Sequence, residues 1–290
     1  MVDRLTLLQL HAHPDDESSK GAMTTARYVD EGMRAVLVCA TGGEEGDILN
    51  AEMDRPEVKE NLHEVRMGEL AEAAKIIGYE TVHLLGYRDS GMPDSEANAR
   101  PDNFWNTPLA ESTGRLVAIL RAERPDVVIT YGEDQSRYPH PDHLRVHDIT
   151  IAAVDAAADP AAYPGTGDAF VVPKLYYSHG FSRRRLQTMH DWYVEQGSES
   201  PYADWLSKIA EDHDIRVTTR VWAGEHIGVM RDALLAHRTQ VAPDSWWFKV
   251  PAEVMRERHP WEEYQLARSH VGTGPRDADG FETDLFAGLR

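Results

Sequence analysis

Residues 5–17 read LTLLQLHAHPDDE, a short apolar run followed at once by histidine and acidic side chains. An apolar run of this length, bounded by polar residues, indicates a buried β-strand. Similar runs recur at residues 35–40, 81–85, 126–131 and 174–178, separated by helix-like stretches at residues 20–32, 58–78, 109–123 and 141–158. Because short strands joined by helical crossovers form parallel sheets, the sequence predicts an α/β fold. We expect a Rossmann-like, mostly parallel sheet with helices on both faces.

The composition changes after about residue 180. Trp, His and charged residues become more frequent, and the periodicity is weaker apart from a predicted strand at residues 216–221 and a predicted helix at residues 225–240. We therefore expect a Rossmann-like domain at residues 1–180. A smaller C-terminal α+β lobe, residues 181–290, is expected to pack on the same domain.

The charge of the chain limits its partners. The 290 residues carry a formal net charge of −19, which repels phosphate backbones and anionic lipid surfaces. The apolar run at residues 5–10 is too short for the core of a signal peptide or a membrane span. We expect a small-molecule substrate, no nucleic-acid or membrane partner, and a cytoplasmic location. The sequence does not indicate the oligomeric state.

A second polar cluster, YPHPDH at residues 138–143, also follows a predicted strand and precedes a predicted helix. In open α/β sheets, ligands bind beyond the carboxyl ends of the strands, so the two clusters are expected to converge. Histidine and aspartate suit Zn²⁺, and a catalytic site keeps one coordination position open. We predict that His13, Asp16 and His143 are the metal ligands.

Other assignments fit the same spacing. His147 lies one helical turn after His143 and competes with it, and His140 lies three residues before it. His11 alternates with His13 along an extended segment and is expected to point away from the site. Each cluster taken alone is compatible with a helix cap or with surface residues. Two clusters at matching strand ends favour a shared metal site.

Both motifs resemble those of a known family. AHPDDE at residues 12–17 and HPDH at residues 140–143 are similar to the motifs of the LmbE-like zinc deacetylases. Longer strings resemble the branch of that family that cleaves mycothiol S-conjugates: DDESSKG at 15–21, TGGEEGDILN at 41–50, DSGMP at 89–93, YPHPDH at 138–143, KLYYSHGF at 174–181 and DLFAG at 284–288. One departure is EDQSR at residues 133–137, where those amidases have a shorter, glycine-rich loop. The resemblance implies a zinc-dependent amide hydrolase.

The resemblance also implies roles for the residues of the two motifs. His13, Asp16 and His143 would hold one Zn²⁺ per chain, and ligands of these types also accept Fe²⁺. Asp15 would be the general base. Such a site suits amide hydrolysis, because a metal lowers the pKa of bound water to about 7 and polarises the carbonyl group.

Three residues of the second motif are implied to complete the catalytic group. His140 would be the general acid or would stabilise the oxyanion, and Asp142 would orient His140. Tyr138 would polarise the carbonyl oxygen in the transition state. An amide needs these contributions, because its carbonyl is a poor electrophile and its amine a poor leaving group.

Three further residues are implied to contact the substrate. Lys20 would distinguish the amidases from the related deacetylases, and Arg66 and Asp89 would bind the sugar and inositol. The alternatives are a solvated Lys20, an exposed helix charge at Arg66 and a turn residue at Asp89.

The resemblance implies a small thiol-sugar conjugate as the substrate. We expect an amidase that hydrolyses the amide between glucosaminyl-inositol and N-acetylcysteine in mycothiol S-conjugates, releasing a mercapturic acid in detoxification. One alternative is an N-acetylglucosaminyl-inositol deacetylase of mycothiol biosynthesis, against which Lys20 argues. An alternative of another class is a non-catalytic, zinc-containing sugar-binding module. The predicted open metal position and Asp15 argue against that module.

Overall fold

The computed structural model describes residues 4–135, 138–211 and 213–290. The strands in these residues are β1 (Thr6–His11), β2 (Arg34–Thr41), β3 (Thr81–Tyr87), β4 (Val127–Tyr131), β5 (Lys174–Ser178), β6 (Thr219–Trp222) and β7 (Trp261–Ser269). Within the described residues they form one seven-stranded sheet in the order β3-β2-β1-β4-β5-β7-β6. The first five strands are parallel, and β7 runs antiparallel to both of its neighbours. The prediction of a mostly parallel α/β sheet is confirmed.

The helices follow the predicted alternation with the strands. They are α1 (Asp16–Ser19), α2 (Ala22–Asp30), α3 (Pro56–Glu60), α4 (Leu62–Ile77), α5 (Leu109–Glu123), α6 (Pro141–Ala158), α7 (Arg183–Glu195), α8 (Ala203–Lys208), α9 (Ile227–Ala236) and α10 (Ala252–Arg258). Three short 3-10 helices occupy His213–Arg216, Gly224–His226 and Trp246–Phe248. Helices α5 and α6 have the predicted bounds. The helix predicted at residues 58–78 is interrupted at Asn61, whose side-chain amide donates to the carbonyl of Glu57.

Both faces of the sheet are covered by helices. Along β2, Leu37 and Cys39 belong to a core with α2, α4 and α9, whereas Val36 and Val38 belong to a core with α5 and α6. Successive side chains of a strand point to opposite faces, so a fully apolar strand needs a packed layer on each side. This requirement explains why the central strands have continuous apolar sequences.

The C-terminal segment extends the same sheet. Strand β7 is not predicted by the sequence pattern, because Glu262 and Glu263 interrupt its apolar residues although both are buried. Glu262 accepts hydrogen bonds from the backbone N–H groups of Gly21 (3.1 Å) and Thr24 (2.8 Å) at the start of α2. The division of the chain into residues 1–180 and 181–290 stays a prediction.

The strand order places the two motif loops side by side. Strand β1 pairs directly with β4, with Leu8 opposite Val128. From this pair the chain proceeds outward in opposite directions, through β2 to β3 and through β5. The connections that leave β1 and β4 therefore turn toward opposite sides of the sheet. A crevice is left between them at the carboxyl edge of the sheet.

A helix that spans a membrane must be both long and apolar. Among the helices of the described residues, none combines the length and the apolar character that a membrane span requires.

A buried ion pair joins the last segment of the chain to the sheet. Glu282 accepts hydrogen bonds from Nζ of Lys174 (2.7 Å), the hydroxyl of Tyr176 (2.8 Å) and the hydroxyl of Thr219 (2.9 Å). The side chains of Lys174 and Glu282 are almost completely buried. Removing one partner of such a pair leaves an uncompensated charge in the interior.

We predict that Glu282→Gln lowers the free energy of unfolding by about 3–5 kcal/mol in urea titrations. The matched control is Glu195→Gln, which removes the partner of Arg258 in an exposed pair and should cost at most about 1 kcal/mol. Similar losses in the two variants would show that the Lys174 pair does not hold the C-terminal segment.

Candidate active site

The first motif begins with a strained turn directly after β1. Asp15 has φ of 106°, in the left-handed region that non-glycine residues rarely adopt. Its N–H donates to Oε2 of Glu17 (2.9 Å), and its carbonyl accepts the N–H groups of Ser18 and Ser19 (both 3.1 Å). Strain of this kind persists only where the surroundings determine the conformation, and it is typical of functional sites.

A buried ion pair fixes this turn from the C-terminal segment. Oε1 of Glu17 lies 2.7 Å from Nε2 of His237, and both side chains are fully buried. Burial alone would raise the pKa of Glu17, but His237 lowers it below its usual value, and Glu17 in turn raises the pKa of His237. Glu17 therefore connects α9 to the backbone of Asp15. Sequence reasoning missed His237, since nothing near it in the chain marks it as a partner of the motif.

The structure brings the three predicted metal ligands together. One ligand atom from each of His13, Asp16 and His143 lies within 4.8 Å of the others. Nδ1 of His13 and Nε2 of His143 are each 3.4 Å from Oδ2 of Asp16. Nε2 of His143 is buried and has no hydrogen-bond partner within the described residues. A buried nitrogen of this kind, aimed at a carboxylate, fits a metal ligand better than a structural histidine.

The other ring nitrogen of His13 is held by Asp142. Nε2 of His13 lies 3.2 Å from Oδ2 of Asp142, whose carboxylate also accepts the N–H (3.0 Å) and the hydroxyl of Ser90. Metal-ligating histidines usually donate their second N–H to a carboxylate in this way. Nδ1 of His13 is thereby left facing Asp16 and His143.

The contacts of Asp142 differ from the expected ones. Its carboxylate contacts His13, whereas we expected it to orient His140. Only the backbone N–H of Asp142 reaches His140, donating to Nδ1 at 3.2 Å. The physical reason is that His140 is the N-cap of α6 and its ring accepts one of the free N–H groups of the first helical turn.

This cap determines which nitrogen of the neutral His140 ring carries the proton. Because Nδ1 accepts a hydrogen bond, the neutral ring carries its proton on Nε2, which lies 3.9 Å from Oδ1 of Asp89. Burial, with a contribution from His13, lowers the pKa of His140. The arrangement favours a neutral ring that donates from Nε2, which suits the second of its two predicted roles, stabilisation of the oxyanion.

The charge of this group fits a divalent cation. Three carboxylates surround His13, those of Asp16, Asp89 and Asp142. Burial lowers the pKa of His13, but these carboxylates raise it well above its usual value. Burial lowers the pKa of His143 to about 4, so its ring is neutral, as a metal ligand must be. The donor set and its excess of negative charge suit Zn²⁺ or Fe²⁺.

Two other sets of side chains within the described residues could hold an ion. They are His13 with Asp89, His140 and Asp142, and His179 with His213 and Asp214. In the second of these, both carboxylate oxygens of Asp214 accept N–H groups, from Arg183 (2.7 Å) and Arg184 (2.9 Å) at the start of α7. Asp214 is therefore a helix cap in this structure.

The predicted general base, Asp15, lies beside the predicted metal ligands and accepts a hydrogen bond from the guanidinium group of Arg66. Nη2 of Arg66 donates to Oδ2 of Asp15 (3.0 Å) and to the carbonyl of Pro14 (2.5 Å), and Nη1 donates to the carbonyl of Gly43 (2.5 Å). Burial raises the pKa of Asp15, and Arg66 opposes that shift. A carboxylate with a raised pKa is better suited to accept a proton near neutral pH. Arg66 is almost completely buried here, and its role as a substrate contact stays a prediction.

Lys20 and Asp89 lie on the wall of the same cavity. Nζ of Lys20 donates to Oδ1 of Asp16 (2.5 Å), and this contact outweighs burial and raises the pKa of Lys20. Oδ1 of Asp89 accepts the N–H of Gly91 (2.8 Å) and is 3.7 Å from Nε2 of His13. Their predicted contacts with substrate stay predictions.

Tyr138 is the most exposed of the predicted residues, with 53% of its surface accessible. Its ring centroid lies 5.9 Å from that of His140 and 5.4 Å from that of His143. It follows the unusual segment at residues 133–137, of which Ser136 and Arg137 lie outside the described residues. Its ring therefore lies beside two of the histidines that line the cavity, and its role on the carbonyl oxygen stays a prediction.

Three residues near the predicted ligands, Tyr131, His147 and His11, have no assigned role in the site. Tyr131, the last residue of β4, stacks on His143 at 4.4 Å between ring centroids. Its position at the carboxyl end of β4 is the sequence feature that could have marked Tyr131 as a residue of the site. Nδ1 of His147 lies 3.0 Å from the carbonyl of Tyr131, and His147 belongs to none of the metal sets found in the described residues. His11 is buried and bonds to Gln9 (2.9 Å).

A single cavity of about 1100 Å³ joins these groups. All the predicted site residues line it except Asp142, which is fully buried behind His13. The volume lies above the roughly 300–1,000 Å³ of ordinary small-molecule sites. A ligand larger than an acetylated monosaccharide can therefore be accommodated.

Comparison with known proteins identifies the family. The family described as PIG-L, GlcNAc-PI de-N-acetylase, matches residues 8–154. The chain belongs to this family. The chain is 43% identical to the mycothiol S-conjugate amidase of Streptomyces coelicolor, over 100% of this chain and 99% of that protein. It is 40% identical to the 1D-myo-inositol 2-acetamido-2-deoxy-alpha-D-glucopyranoside deacetylase of Geodermatophilus obscurus, over the same shares of the two chains.

A solved structure shares the fold. The N,N'-diacetylchitobiose deacetylase from Pyrococcus horikoshii superposes with a TM-score of 0.63 at 19% identity, covering 91% of this chain and 84% of that one. The family resemblance found in the two motifs is confirmed. So is the prediction that the chain is a hydrolytic enzyme of the amidase and deacetylase type.

We predict that His143→Ala weakens the binding of Zn²⁺ by at least about 100-fold, because loss of a ligand should cost more than the 10–100-fold typical of its supporting groups. The matched control is His147→Ala, which lies one turn further along α6 and should bind Zn²⁺ as the unmodified chain does. Equilibrium dialysis with metal analysis gives both values. Loss of zinc from the His147 variant alone would contradict the assignment.

Proposed function

We propose that this protein is a zinc-dependent amidase that hydrolyses the amide between glucosaminyl-inositol and N-acetylcysteine in mycothiol S-conjugates, releasing a mercapturic acid in detoxification. The observation that carries the proposal is the convergence of His13, Asp16 and His143 in one cavity with the carboxylate of Asp15. The full-length similarity to a protein named mycothiol S-conjugate amidase supports the substrate class. Fe²⁺ is the alternative metal, since the same ligands accept it.

The metal would be held by Nδ1 of His13, Nε2 of His143 and the carboxylate of Asp16. When bound there, the ion supplies a Lewis acid for the carbonyl group and lowers the pKa of a water molecule. Asp15 accepts the proton of the attacking water. Its Oδ2 is fixed by Arg66, which leaves Oδ1 as the base. The Glu17–His237 pair holds the backbone turn that aims this carboxylate.

His140 and Tyr138 donate hydrogen bonds to the carbonyl oxygen of the substrate as it becomes negative. Because Nδ1 of His140 accepts the N–H of Asp142, the Nε2–H is the ring group that can donate to the substrate. Tyr138 contributes a second O–H donor from the cavity wall. Preorganised donors of this kind stabilise a tetrahedral oxyanion. The proton that Asp15 has taken from water is then returned to the amine nitrogen as the C–N bond breaks.

Lys20 favours the amidase over the deacetylase. Its ammonium group lies on the cavity wall and donates to Asp16, so it can also donate to a substrate group held at the ligand set. The deacetylase of N-acetylglucosaminyl-inositol remains the second candidate, because a relative with that name is 40% identical over the full chain. The hydroxyl-rich part of the substrate is the same in both reactions, so Arg66 and Asp89 serve either one.

A parallel assay separates the two candidates. The zinc-loaded protein is incubated with a fluorescent mycothiol S-conjugate and, separately, with N-acetylglucosaminyl-inositol, and the freed amine is quantified in each. We expect faster release from the conjugate, measured as kcat/KM. A preference for the acetylated sugar would assign the deacetylase, and bound zinc without turnover of either would favour a sugar-binding module.

We predict that Asp15→Asn lowers kcat by about 10²–10⁴-fold, the usual contribution of a positioned general base, while the zinc content stays at one ion per chain. Asp155→Asn is the control, because this aspartate forms an exposed pair with Arg268 on the far part of α6. Equal kcat values for the Asp15 variant and the unmodified protein would exclude Asp15 as the base.

We predict that Tyr138→Phe lowers kcat by about 10²-fold with little change in KM, because a hydroxyl that acts on the oxyanion contributes mainly in the transition state. Tyr163→Phe serves as the comparison, since its hydroxyl only donates to the carbonyl of Ala110. A rise in KM with unchanged kcat would instead place Tyr138 among the groups that bind the ground state.

A further inference from the structure

One end of the cavity is built from aromatic side chains. Phe181, Trp205, Trp246 and Trp247, which we call the aromatic wall, line the same cavity as the predicted metal ligands. Their ring centroids lie 5.6 Å apart for Phe181 and Trp247, 5.5 Å for Trp205 and Trp246, and 4.1 Å for Trp246 and Trp247. The four rings therefore form one continuous apolar surface.

Part of this surface is open. Trp205 is 44% exposed although it contacts both Phe181 and Trp246. Indole rings provide large apolar faces, and such faces left open inside a cavity mark a place where apolar ligand surface is buried. None of the four side chains carries a charge or a strong hydrogen-bond acceptor, and the indole N–H groups are their only polar atoms, so most of the surface of the aromatic wall is apolar.

The cavity lining around the predicted metal ligands is charged and polar. That end of the cavity carries the ionic groups of Asp15, Asp16, Lys20, Arg66 and Asp89. Such groups suit a polyhydroxylated ligand, which needs both hydrogen-bond donors and acceptors. The cavity thus has a polar end at the candidate reaction centre and an end dominated by aromatic rings, where Asp204 and Lys208 of α8 also line it beside Trp205.

The two ends belong to different parts of the chain. The family match covers residues 8–154, whereas Phe181 follows β5, Trp205 lies in α8, and Trp246 and Trp247 lie in a 3-10 helix. The aromatic wall therefore comes from the C-terminal part of the chain, outside the segment that the family match covers.

We propose that the aromatic wall is a subsite for the apolar group carried on sulfur in an S-substituted thiol substrate. This inference rests on the proposed amidase function. With the sugar at the polar end and the amide at His13, Asp16 and His143, the cysteinyl sulfur and its substituent extend away from the sugar. An acetyl group ends at its methyl carbon and has nothing that could reach the wall.

The chemistry of the aromatic wall predicts a broad preference. Stacked indoles bind flat aromatic and branched alkyl groups by area, with no hydrogen bond that demands one shape. Binding should therefore grow with the apolar area of the substituent, by roughly fourfold for each methylene group that becomes buried. A specific pocket would instead accept one substituent and reject larger ones.

The test compares conjugates that differ only in the group on sulfur. S-methyl, S-butyl and S-benzyl conjugates of the same thiol are assayed with the unmodified protein, Trp205→Ala and Trp222→Ala. Trp222 is the matched control, since it is 45% exposed and lies on β6 outside the cavity lining. Trp205 is chosen for substitution because its exposure makes it the ring of the aromatic wall least needed for folding.

We expect kcat/KM to rise at least about tenfold from the S-methyl to the S-benzyl conjugate in the unmodified protein and in Trp222→Ala. In Trp205→Ala this ratio should fall to about threefold or less. An unchanged ratio in Trp205→Ala, or no rise in the unmodified protein, overturns the subsite. The proposed function still stands in that case if the S-methyl conjugate is cleaved. Cleavage of none of the conjugates overturns both.

A binding measurement checks the subsite without turnover. The mercapturic acid product, S-benzyl-N-acetylcysteine, should change the tryptophan fluorescence of the protein and bind at least about tenfold more tightly than its S-methyl analogue. The difference should be lost in Trp205→Ala and kept in Trp222→Ala. Equal affinities for the two products in the unmodified protein would overturn the proposal.

Discussion

The direct pairing of β1 with β4 is the constraint on which the site depends. The chain leaves this pair in opposite directions across the sheet, so the loops after the two strands separate and open a crevice at the carboxyl edge. His13 and Asp16 follow one strand, and His143 follows the other. One strand pairing therefore brings together side chains that are more than a hundred residues apart in the sequence.

The sequence predicted those parts of the molecule that depend on local pattern. Apolar runs of strand length located β1 to β5, and helical periodicity located α5 and α6 with their observed bounds. Partners that meet only in the folded chain left no such signal. Glu17 finds His237 from α9, and β7 enters the sheet although Glu262 and Glu263 break its apolar pattern. Buried carboxylates with distant partners look like surface residues in a sequence.

The same distinction applies inside the site. The identity of the residues in the two motifs was sufficient to predict which side chains converge, but their hydrogen bonds depend on backbone geometry. The N-cap position of His140 makes its ring an acceptor at Nδ1 and leaves Nε2 as the donor. The carboxylate of Asp142 is consequently free to hold His13. The cavity joins this polar centre to an apolar end from the C-terminal segment, which gives one hydrolytic site two chemically different subsites.

The most direct measurement of this arrangement is X-ray absorption at the zinc edge of the metal-loaded protein, with His143→Ala recorded beside it. We expect an oxygen and nitrogen shell with the multiple scattering of two imidazole rings, and one ring fewer in the variant if any zinc is retained. A spectrum with three or more imidazole rings, or one that His143→Ala leaves unchanged, would contradict a centre made of His13, Asp16 and His143.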